Sequence, residues 1–174
     1  MSEPLDWSYR TTEIPEAGLR QSRTATEAER AKVASMLEIV SCEQLTSEFV
    51  IRAIGQGHYR LAGKVAGQLT QNCVVTLDPL AQAVGGTFDV EFWPAGKQPA
   101  SGEDEVEALS AAEIEPIQHG MIDAGRIVFE TLSASVDPYP RKAGAEFKGD
   151  ELNDAAELGD SGPFVALKKL KDRG

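Results

Sequence analysis

Val33, Met36, Leu37 and Val40 recur at i, i+3, i+4 and i+7, the spacing of one apolar stripe on a helix. Thr26 and Glu29 stand ahead of it at the spacing of a capping box, which predicts a helix from about Ala25 to Ile39. From Cys42 to Trp93 the period drops to two. Leu45, Phe49, Ile51 and Ala53 alternate with Thr46, Glu48 and Arg52, until Gly55 and Gly57 interrupt the run as hairpin glycines do. Val65, Gly67, Leu69, Gln71, Cys73, Val75 and Leu77 then share one face of a long predicted strand. Phe88, Val90 and Phe92 share a face of the next, after a turn expected at Gly85-Gly86. Strands joined by short turns favour antiparallel pairing.

Residues 95–113 read as a flexible loop, first rich in Gly, Pro and Ser and then acidic at Glu103, Asp104, Glu105 and Glu107. A short strand around Ile114 to Ile117 follows. Its Pro116 lacks an amide donor and places it at a sheet edge. Asp123 caps a second predicted helix, on which Ala124, Ile127, Val128, Leu132, Ser135 and Val136 share a face. That helix stops at "DPYPR", because two prolines cannot continue it.

The expected architecture is therefore α+β: a mainly antiparallel sheet, able to curl towards a barrel, with two principal helices packed on it. One domain is expected over residues 1–142. Residues 143–162, with Asp150, Glu151, Asp154, Glu157 and Asp160, form an acidic segment expected to lack order. Residues 163–174 recover helical spacing in Phe164, Leu167 and Leu170, as a short amphipathic basic tail.

Charge narrows the function. Among 174 residues, 28 Asp and Glu face 17 Lys and Arg, a net charge of -11. A field of that sign opposes binding of nucleic acid through the bulk surface and favours basic partners. The N-terminus "MSEPLDWSYR" has no basic start followed by an apolar run, and no segment is long and apolar enough to cross a bilayer. A cytoplasmic location without membrane contact is expected. Two cysteines are too few for a disulfide framework.

Catalytic patterns are lacking. Cys73 sits on the apolar face of its predicted strand, where a thiol is usually inert, and nothing ties His58 or His119 to it. Two distant cysteines and two distant histidines do not supply a metal site. The Gly55 and Gly57 pair precedes neither a helix nor a Lys-Ser/Thr, so it is no phosphate loop. The sequence thus predicts no enzyme, no catalytic residue, no metal and no cofactor.

Four blocks in order carry a resemblance: "GQLTQNCVVTLDPL", "FDVEFWP", "IDAGRIVFETLSASVDPYPR" and "PFVALKKLK". Together they resemble the bacterial YceD family of large ribosomal RNA subunit accumulation proteins, most of all its alphaproteobacterial branch, over roughly Arg23 to Leu170. The resemblance implies a cytoplasmic, non-enzymatic factor in ribosome biogenesis that supports accumulation of 23S ribosomal RNA. Many members carry Cys-x-x-Cys at the position of Cys73, and a further cysteine group after the second helix. Here Thr76 replaces the second cysteine and "DPYPRKAG" contains none. A metal or redox role therefore does not carry over.

Acidic charge and the resemblance together point to a basic ribosomal protein, or a large-subunit precursor, as the partner. Asp137, Pro138, Tyr139, Pro140 and Arg141 are the candidate binding residues, since prolines stiffen the segment and Tyr and Arg often anchor interfaces. Direct RNA contact is the alternative, with Lys168, Lys169, Lys171 and Arg173 as the only dense basic cluster.

Overall fold

The computed structural model describes residues 3–96 and 113–146. Chain order is β1 (Ser8–Arg10), a 3-10 turn (Thr11–Glu13), β2 (Leu19–Thr24), α1 (Glu27–Met36), β3 (Ser41–Gly55), β4 (His58–Asn72), β5 (Pro79–Pro94), β6 (Glu113–Ile117), β7 (Met121–Asp123) and α2 (Ala124–Ser135). Five strands form one sheet in the order β2-β3-β4-β5-β6, and β1 pairs with β7 in a separate ribbon. All neighbours in the sheet are antiparallel except β5 and β6, which run parallel. The sheet is α+β in kind, as the pattern predicted, but it stays open at β2 and β6 and forms no barrel. Of the segments read from composition, residues 97–112 of the acidic loop and everything after residue 146 lie outside the described residues.

Local chemistry explains the helices. The Thr26 hydroxyl accepts the Glu29 amide at 3.3 Å, and the Glu29 carboxylate accepts the Thr26 amide at 2.8 Å, closing the capping box. Asp123 caps α2 by accepting the Arg126 amide at 3.0 Å. Leu45, Phe49 and Ile51 of β3, Leu61, Val65 and Leu69 of β4, and Phe88, Val90 and Phe92 of β5 meet Ile127, Val128 and Leu132 of α2 in the core.

Three predicted features differ. The α1 stripe is shorter than its spacing suggested: the helix ends at Met36 rather than near Ile39. Val33 is buried, Met36 is about half exposed, and Val40 lies beyond the helix and is also about half exposed. Gly85-Gly86 is no turn but lies inside β5, opposite Val65 and Ala66. A Cβ at Gly85 would meet the Val65 carbonyl oxygen at 2.6 Å, and one at Gly86 would meet Thr131 Cγ2 at 3.0 Å. Those glycines serve close approach of strand and helix rather than chain reversal. The long strand also ends earlier than predicted, at Asn72, so Cys73 belongs to the turn that the glycines were expected to make.

The N-terminal segment carries no strand pattern, yet it supplies two of the most buried side chains, Leu5 and Trp7. It crosses the start of α2, where the Gly125 amide donates to the Trp7 carbonyl at 3.3 Å. A Cβ on Gly125 would collide with the Leu5 carbonyl oxygen, so only glycine allows this crossing.

Candidate functional site

Residues Cys73 to Asp78 reverse the chain between β4 and β5. The Cys73 amide donates to the Asp78 carbonyl at 2.8 Å, and the Leu77 amide donates to the Cys73 carbonyl at 2.9 Å. Leu77 adopts φ 61, a left-handed conformation unusual for leucine, and its side chain is 73% exposed. Cys73 is wholly buried, as its apolar neighbours suggested, but outside the main hydrophobic cluster.

The "DPYPR" segment docks on this turn. Gln71 Nε2 donates to the Asp137 carbonyl at 3.1 Å, and the Val74 amide donates to the Pro140 carbonyl at 2.9 Å. The Lys142 amide reaches Cys73 Sγ at 3.4 Å, while Lys142 Nζ pairs with Asp78 Oδ2 at 3.1 Å. Asp137 Oδ1 accepts the Tyr139 amide at 2.9 Å, which fixes the bend between the prolines. Of the five predicted residues, Pro140 is buried as an anchor, and Asp137, Pro138, Tyr139 and Arg141 are exposed. Tyr139 is 72% exposed and shares this end of the molecule with Leu77 and Val74. Lys168, Lys169, Lys171 and Arg173 lie outside the described residues.

Donors around the sulfur govern its chemistry. The Thr76 side chain, the Lys142 amide and the Thr76 amide pull the Cys73 thiol down to about 6, against the opposing effect of burial. Burial withholds that sulfur from reagents, and it acts instead as an acceptor that pins the two segments together. Asp78 is held below the usual carboxylate range by Lys142 and Thr76. Cys42, by contrast, is pushed up by burial.

Neither histidine reaches this turn. His58 opens β4, about 45 Å of extended strand away from Cys73. Its ring stacks on Trp93 with centroids 4.3 Å apart. His119 sits in the turn between β6 and β7. Among the described residues no three His, Cys, Asp or Glu side chains come together as a metal site. No helix among them is long and apolar enough to cross a membrane.

A carboxylate pair escaped the sequence reading. Glu3 hydrogen-bonds Asp123, and that bond together with burial raises it to about 7. Its folded-state value lies above its ordinary one, so this contact stabilises the fold in full below about pH 4.5 and is lost as pH rises through about 7. Asp123 also caps α2, and the neighbouring Arg126 pairs with Glu115 at 2.8 Å and Glu130 at 2.9 Å. Glu3 and Asp123 lie 120 positions apart, and no local pattern announces such a pair.

By its fold this is an α+β protein whose open sheet ends in a buried-thiol turn braced by the segment after α2. A family model described as large ribosomal RNA subunit accumulation protein YceD matches residues 61–171. That is more than half of the chain, and the chain belongs to the YceD family. The match begins in β4, a narrower span than the resemblance from about Arg23, and it includes both the turn and "DPYPR". No curated protein and no solved structure matches the chain.

Proposed function

We propose that this protein supports accumulation of large-subunit ribosomal RNA in the bacterial cytoplasm without catalysis, by holding a basic ribosomal protein or a large-subunit precursor. The observation that carries this reading is the presentation of Tyr139. Backbone anchors at Asp137 and Pro140 hold the segment on the turn that carries the exposed Val74 and Leu77, while the Tyr139 side chain stays 72% exposed. An exposed tyrosine and arginine on an anchored segment, docked on a turn with exposed apolar side chains, have the composition of an interface centre. The net charge of -11 favours a basic partner for it. Direct RNA contact through the basic tail is the second reading, and the same overall charge disfavours it.

Cells depleted of the protein should show a lowered ratio of 23S to 16S ribosomal RNA, restored by re-expression of the full chain. An unchanged ratio during depletion would remove the biological half of this proposal.

A further inference from the structure

β5 spans sixteen residues, but β6 pairs only with its last five, Val90 to Pro94. The edge from Pro79 to Asp89 pairs with no strand on that side among the described residues. Proteins usually blunt such edges with charged residues, prolines or bulges. Here Leu80 to Phe88 carries no charged residue and no proline, and its register with β4 runs without a bulge. An edge of about 30 Å that has no partner strand among the described residues and lacks these protections is suited to strand addition.

Its polarity follows from the ladder. The Cys73 amide donates across to Asp78, and bonding alternates along an antiparallel pair. Leu80, Gln82, Val84 and Gly86 therefore bond to β4, whereas Ala81, Ala83, Gly85 and Thr87 direct their amides and carbonyls outward. Where β6 begins, the edge opens into a groove of about 430 Å³ between β5 and α2, lined in part by Asp89, Glu113, Glu130 and Thr131. Asp89 pairs with Arg60 and Glu130 with Arg126, while Glu113 has no ion-pair partner among the described residues. At the other end the edge starts directly after Leu77 and Asp78, on the turn that holds the segment after α2 through Pro140 and Lys142.

We propose that this edge of β5 takes up an extended basic segment of a partner protein as an additional strand, its cationic side chains reaching Glu113 and its neighbours. The proposal rests on the basic-partner reading above and names its mode of binding. A second copy of the chain would bring together two molecules of charge -11, so the carboxylate-lined groove favours a cationic segment instead.

The test uses the full chain and a ten-residue synthetic peptide of alternating valine and lysine, followed by amide hydrogen exchange and a binding titration. Binding should slow exchange at Ala81, Ala83, Gly85 and Thr87, and leave the even-numbered amides, already bonded to β4, little changed. Ala83→Pro removes an outward donor without touching the β4 ladder, so it should weaken binding about tenfold or more, with an unchanged melting temperature. The exchange pattern of the unsubstituted chain decides the matter even if that variant folds poorly. Peptide binding that slows amides elsewhere overturns the β5 site while leaving a basic partner intact. Slow exchange at Ala81 to Thr87 in the free monomer, or its appearance only at high protein concentration, also overturns it, because the edge is then covered by this chain or by a second copy. Failure to bind the peptide at low salt overturns strand addition, and capture of a basic protein from lysate would then still uphold the parent reading.

Discussion

Trp7→Ala should destabilise the fold by about 3–5 kcal/mol, the range for emptying a buried aromatic site. Trp7 is only 1% exposed and belongs to the central cluster. Its indole Nε1 donates to Glu29 Oε1 at 2.9 Å, its carbonyl accepts the Gly125 amide at 3.3 Å, and the Arg23 guanidinium lies 5.5 Å from its ring centroid. The side chain thus ties the N-terminal segment to α1 and β2, and the backbone carbonyl of the same residue ties it to α2. The substitution leaves a large cavity and loosens the capping glutamate. Urea unfolding measures the loss. A change under about 1 kcal/mol would show that the segment is peripheral, since surface substitutions fall in that range.

The double change Tyr139→Ala with Arg141→Ala should reduce partner capture about tenfold or more while the melting temperature moves little. Both side chains are exposed, whereas the contacts that hold the segment run through the Asp137 and Pro140 carbonyls, the Lys142 amide and the buried Pro140 ring. Stability and binding are therefore separable here. Equal capture by the variant would move the interface elsewhere, and early unfolding would show that Tyr139 braces the fold rather than a partner.

Periodicity carried the sheet and both helices because those elements bury one face each, and burial imposes spacing. The Thr26 capping box and the Asp123 cap were legible for a similar reason: each is local, closed within three residues. Other features escaped because their cause lies across the sheet. Gly85-Gly86 resembles a turn in sequence, yet its reason is contact with Val65 and α2. Cys73, Val75 and Leu77 keep a period of two past the end of β4, so alternation alone could not show where pairing stops. Trp7 and Leu5 are core residues on a segment with almost no regular structure, held by α2 rather than by neighbours in sequence.

The candidate site was half legible. Its prolines, tyrosine and arginine stood out in "DPYPR", but the turn on which they rest did not. The Lys142–Asp78 pair joins residues 64 positions apart, and the Lys142 amide reaches a sulfur 69 positions away. Only the fold of β4 back onto β5, beside the end of α2, brings them together.

Capture from bacterial lysate by the immobilised full chain, with and without nuclease digestion, tests the central claim most directly. A basic large-subunit ribosomal protein retained at equal amount under both conditions is the predicted result. A catch that disappears with nuclease would contradict the claim and place RNA itself at the binding surface.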